Sequence, residues 1–108
     1  MEDFRIIYRI LKILQRSMDL EEIDKDSISF EALKISEPRW CRIMAMLIHE
    51  GYITGAETWN SMTQSYPRVI LTRPEITLKG LEYLQENGLM KKAANLAKGI
   101  VETVTDVI

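Results

Sequence analysis

"SEPRWCRIMAMLIHEGYITG", residues 36–55, decides how the rest of the chain is read. Ser36 suits a helix N-cap because its hydroxyl can accept a backbone N–H of the first turn, and Pro38 falls in that turn, where its missing N–H costs nothing. From there Trp40, Ile43, Met44, Leu47 and Ile48 recur at three- and four-residue spacing, as on a helix with one apolar face. Arg39, Arg42, Ala45, Met46 and His49 are expected to point the other way. Gly51 supplies the stop, and Tyr52, Ile53 and Thr54 open a strand-like run.

Upstream, "SISFEALKIS", residues 27–36, predicts a one- or two-turn helix around Phe30 to Lys34 with Phe30 and Leu33 turned inward. Two helices joined this tightly make a helix-turn-helix geometry. Downstream, "YITGAETW" and "PRVILT" are short β-branched and aromatic runs separated by the polar "NSMTQSY", which predicts a two-stranded ribbon with a flexible tip. In "RPEITLKGLEYLQENG", Thr77 can cap a further helix, Ile76 and Leu81 can staple it, and Asn87 with Gly88 should end it. A last segment from Leu89 places Ala93, Leu96, Ile100 and Val107 on one stripe.

The amino-terminal helix has Asp3 as a candidate cap and sends Phe4, Ile7, Tyr8, Leu11, Leu14 and Met18 toward the core. Ile6, Ile10 and Ile13 form a second stripe, and Arg5, Arg9, Lys12 and Arg16 gather on a narrow basic edge. A helix apolar on two sides needs two covers. The second is either the last segment of the same chain or a second copy, so Ile6, Ile10, Ile13, Leu96 and Ile100 are the candidate homodimer interface.

The expected fold class is α+β, mostly α: a winged helix-turn-helix with a β-hairpin wing and an added C-terminal helix. It forms one domain over residues 1–108, with the helix-turn-helix at about 29–50, the wing at about 52–72 and the C-terminal helices at about 77–104. A chain of 108 residues fits one core.

The 46% hydrophobic and 28% charged composition is that of a globular protein. No run approaches the roughly 20 apolar residues that cross a bilayer, and the amino terminus lacks the order of a signal peptide. The expectation is cytoplasmic, with no membrane contact. The net charge of −2 and pI near 5.4 contrast with the pI above about 9 common in nucleic-acid-binding domains. Much of the acid is local: "DLEEIDKD", residues 19–26, holds five carboxylates against one lysine, as a solvated connector does. An EF-hand calcium loop begun at Asp24 would need glycine at Ser29 and glutamate at Ile35, so the segment fails as an EF-hand.

An enzyme is not expected. His49 is the one histidine, without a catalytic partner in recognisable spacing, and it lies eight residues from Cys41 with no further ligands for a metal. Cys41, within an apolar helical pattern, reads as a buried inert thiol. No cofactor or small-molecule substrate is indicated. Trp40 and Trp59 read as core anchors, with Trp59 near the wing also able to stack on a base or a partner.

At "GYITG", "ITLKGLEYLQENG" and "LMKKAANLAKGI" the chain resembles the YjcQ-like winged-helix proteins, small bacterial and prophage-borne chains. The shared features are a glycine-tyrosine-isoleucine strand entry at Gly51 to Ile53 and, at Ile76 to Gly88, a threonine-x-lysine-glycine helix start followed by tyrosine-leucine and glutamate-asparagine-glycine. The resemblance implies nucleic-acid binding only through the fold. On that reading the expected function is a DNA-binding regulator of phage or bacterial origin. Lys34, Arg39, Arg42, Ala45, Met46, His49, Gln64 and Arg68 would form the DNA-binding set: outward helix residues in the major groove, the others on phosphates. Ser61, Thr63, Ser65 and Arg73 could add phosphate contacts. The alternatives are that the two arginines merely solvate a helix, and that the domain is a protein-interaction or dimerisation module.

Overall fold

The computed structural model describes the backbone of residues 2–97 and the side chains of residues 2–88. Helix α1 spans Glu2–Arg16 and buries Ile6, Ile10, Leu11 and Leu14. The buried arc is therefore centred on the expected second stripe. Ile6 and Ile10 lie inside the chain's own core, Ile13 is half-buried against it, and Phe4 and Met18 are exposed. Apolar residues occupy so much of the circumference of α1 that spacing alone did not fix its rotation. Asp3 stands within the first turn instead of capping it.

After a 3₁₀ turn at Ser17–Asp19, the acidic segment leads to a second 3₁₀ turn at Lys25–Ile28, whose Asp24 cap accepts the Asp26 N–H at 3.1 Å. Helix α2, Phe30–Leu33, is capped by Ser29 and ends on Lys34 in the left-handed region, φ 60°. Helix α3, Glu37–His49, starts as expected: Ser36 Oγ accepts the Arg39 N–H at 3.3 Å with proline in the first turn. Trp40, Cys41, Ile43, Met44 and Leu47 are buried. Trp40 Nε1–H donates to the Ile28 carbonyl at 2.7 Å and its ring meets Phe30 edge-on, which ties the two short helices to α3.

Strands β1, Ile53–Trp59, and β2, Arg68–Ile76, pair antiparallel. Ile53 faces Ile76 and Thr54 faces Glu75, but the register has moved two residues by the Ala56 and Leu71 pair. Gly55 explains the shift. It sits at φ 76°, and a Cβ there would lie 1.8 Å from the Arg73 carbonyl oxygen, so the bulged Thr72–Pro74 stretch passes over a position open only to glycine. Pro74 is fully buried, and Lys25 Nζ donates to the Leu71 carbonyl at 3.3 Å. The ribbon tip is closed by its own side chains: Ser61 and Thr63 share a hydroxyl hydrogen bond, and Gln64 Nε2 donates to the Tyr66 carbonyl at 2.9 Å.

Helix α4 runs unbroken over Leu78–Ala97, through the expected stop at Asn87 and Gly88. Asn87 Nδ2 donates to the Tyr83 carbonyl one turn earlier instead of leaving the helix, and at Gly88 the Tyr8 hydroxyl comes within 3.9 Å of where a Cβ would stand. The start of α4 grips the end of α3. Thr77 Oγ1 accepts the Gly80 N–H and donates to the Gly51 carbonyl, while the Lys79 ammonium lies 5.0 Å over the Tyr52 ring. A Cβ on Gly80 would meet the Tyr52 carbonyl oxygen at 2.6 Å. The threonine-x-lysine-glycine element is thus a clasp between helices. The whole is α+β and mostly helical, with four helices and a two-stranded hairpin among the described residues, consistent with a winged-helix-like arrangement.

Candidate nucleic-acid interface

Burial of the Trp40, Ile43, Met44 and Leu47 face leaves Arg39, Arg42, Met46 and His49 on the exposed edge of α3, spaced 3, 4 and 3 residues apart. Ala45 does not join them. It is 7% exposed and belongs to the core, because the buried arc of α3 is wider than its aliphatic stripe suggests. Met46 is 53% exposed.

Each cation of this edge has a different neighbour. Arg39 Nη1 forms an ion pair with Asp3, a contact between the first turns of α3 and α1 that both partners make at the surface. Arg42 stacks over Tyr66, its guanidinium carbon 5.9 Å from the ring centre, so the ribbon tip reaches the middle of α3. Arg68 is exposed at the start of β2 and paired with Trp59. Burial raises the pKa of the Cys41 thiol, Glu37 raises it further, and the nearby Arg68 charge pulls it partly back. The contact between α3 and the ribbon on this side is therefore Arg42 over Tyr66.

Lys34 is exposed and lines a surface cleft with Asp3, Ile35, Ser36 and Arg39. Gln64 is half-buried and spends its amide N–H on the ribbon's own carbonyls. Glu37 and Glu50 flank the exposed edge at either end of α3. Sequence reasoning missed Tyr66 and Asp3. A tyrosine before a proline at a ribbon tip marks a candidate aromatic platform, but nothing local links Asp3 to a residue 36 positions away.

The ribbon's two faces differ. Ala56, Thr58, Val69 and Leu71 are half-buried, whereas Glu57, Trp59, Arg68 and Ile70 are exposed on the other side. Trp59 is thus a surface residue, not the expected core anchor.

Of the candidate dimer residues, Ile6 and Ile10 are covered by their own chain, which removes the reason to seek a second copy over them. The Leu96 side chain and Ile100 lie outside the described residues. Among the described residues no group of three potential ligands could hold a metal ion, and no helix is long and apolar enough to cross a membrane.

No match was found among curated proteins or among solved structures. The model of the family described as YjcQ protein matches residues 8–103, a span that takes in α3, the ribbon and the clasp at Thr77 to Gly80, and so the chain belongs to the YjcQ family.

Proposed function

We propose that this protein is a winged-helix DNA-binding regulator that touches duplex DNA with the exposed edge of α3 and the adjoining ribbon. The observation that carries this reading is the stacking of Arg42 on Tyr66, which sets the ribbon tip against the exposed edge of α3. Arg39, Arg42 and His49 supply donors suited to base edges or phosphates, and Arg68 and Lys34 supply phosphate contacts. Met46 offers an apolar contact of the kind made with a thymine methyl. Gln64 contributes less than its sequence position suggests, because its amide N–H already has partners.

Anisotropy of a labelled duplex titrated at several salt concentrations tests this. Affinity should fall steeply as salt rises, and Arg39→Ala with Arg42→Ala should remove most of it. A wild-type protein that binds no duplex at about 50 mM salt overturns the proposal.

A second reading, a protein-interaction module, is favoured by one observation: Trp59 and Ile70, 41% and 51% exposed, lie on the same outer ribbon face, with Met62 fully exposed at the tip. Replacing Trp59 and Ile70 by serine and threonine leaves duplex binding intact on the first reading and abolishes the protein's activity in its host on the second.

A further inference from the structure

We propose that the outer edge of α1 is a second polyanion surface, on which Arg5, Arg9, Lys12 and Arg16 grip the phosphate backbone of nucleic acid without reading its bases. The four cations follow one another at 4, 3 and 4 residues, so they share one side of the helix and span about 16 Å along its axis. That side lies opposite the arc of Ile6, Ile10, Leu11 and Leu14, which fixes the helix in the core and turns the edge to solvent. Arg5, Arg9 and Arg16 are exposed and Lys12 half-exposed. Among the described residues none of the four has a carboxylate within 4 Å; the ion pairs present are Arg39 with Asp3 and Arg73 with Glu75.

A row of cations lacking such partners makes a local positive potential on a chain of net charge −2, and that potential attracts an anionic partner of matching shape. The row is narrow, rigid and mostly arginine, whose planar fork suits phosphate oxygens in pairs. A strand of phosphates is the occupant that fits such a line. An anionic membrane fits less well: the exposed carboxylates Asp19, Glu21 and Glu22 follow the edge at once, and a broad sheet of headgroups would have to accommodate them. This surface stands independently of the α3 reading, since none of its residues belongs to α3 or the ribbon.

The test uses the full chain and a labelled duplex of about 25 base pairs of arbitrary sequence, titrated between about 50 and 200 mM salt. Arg5→Gln, Arg9→Gln, Lys12→Gln and Arg16→Gln together keep good helix formers at exposed positions, and circular dichroism confirms the helix. This variant should lose roughly tenfold or more in affinity at low salt, with a salt slope shallower by about 3. Replacing the three arginines by lysine should retain most of the binding. If the fourfold variant fails to fold, Arg5→Gln with Arg16→Gln should give about half the slope change. An unchanged slope in a folded variant overturns the inference. So does a wild type that binds phosphatidylserine vesicles but no nucleic acid. Loss in the α1 variant with full binding by the Arg39→Ala and Arg42→Ala protein would sink the α3 reading and leave this one standing.

Discussion

Lys79 Nζ donates to the Glu50 carbonyl at 2.8 Å, so the first turn of α4 satisfies the last turn of α3 across 29 residues of chain. Thr77 and Gly80 act at the same junction. Thr77→Ala should cost about 1–2 kcal/mol through loss of a cap and of the Gly51 contact, and Lys79→Ala about 1 kcal/mol or less. Gly80→Ala should cost more than either, because its methyl would collide with the Tyr52 carbonyl oxygen as well as the Ile76 side chain, each 2.6 Å away, and the backbone oxygen cannot swing aside. Urea melts of the three variants give the order; a neutral Gly80→Ala would refute the close approach.

Gly51 and Gly55 both have positive φ, yet only Gly55 is crowded. Gly51→Ala should cost about 1 kcal/mol of backbone strain. Gly55→Ala should disrupt the register between Thr54 and Ala56 and with it the hairpin, seen as loss of the cross-strand contacts of Ile53 with Ile76 by NMR.

Asp3 neutralises Arg39 at the surface, where such pairs are worth about 0–1 kcal/mol. If duplex DNA uses Arg39, the carboxylate competes with phosphate. Asp3→Asn should then tighten duplex binding up to about fivefold while leaving the melting temperature within a few degrees. Weaker binding would mean that Asp3 holds Arg39 in its working pose instead.

The Cys41 thiol is held neutral chiefly by burial, so it should react slowly with a thiol reagent until the chain is unfolded. Because the folded pKa lies above the unfolded one, the folded state keeps its proton longer, and stability falls as pH rises past the ordinary thiol range of about 8.5. Tyr83, raised by burial and then by Tyr52, adds to the same trend at higher pH. Cys41→Ala should remove the lower-pH part of the decline in chemical denaturation series.

Ile10→Asp separates a core position from a dimer contact. Ile10 has no exposed surface, so a buried carboxylate there should unfold the protein, by about 4 kcal/mol or more, instead of yielding a stable monomer. Sizing with circular dichroism distinguishes the outcomes.

What the sequence made legible follows the range over which each signal acts. Ser36, Pro38, Gly51 and Thr77 announce helix ends through bonds to residues a few positions away, and each stands where its chemistry requires. The inward stripe of α3 was readable because only one side of that helix is continuously apolar. On α1 the spacing is ambiguous because isoleucines and leucines surround much of the helix, and its rotation is set by what packs on it. Asn87 and Gly88 carry the composition of a stop, but α4 passes through them, so packing outweighed propensity there. Ala45 falls on the expected outer edge yet is buried, because a small side chain gives periodicity little to weigh. The pairing of Arg39 with Asp3 and the approach of Tyr66 to Arg42 depend on tertiary geometry that no local pattern encodes. The bulge opposite Gly55 does not enter the expected ribbon, although an isolated glycine inside a strand pattern is one of its signs.

The bulge has a further effect. A ribbon of two strands leaves unpaired backbone along its outer border, where neighbouring molecules can zip together into fibres. On the β2 side the Leu71 carbonyl is already taken by an ammonium, Pro74 has no N–H to offer, and the strand kinks between them. This border is a poor template for intermolecular growth, and strand addition through β2 is disfavoured.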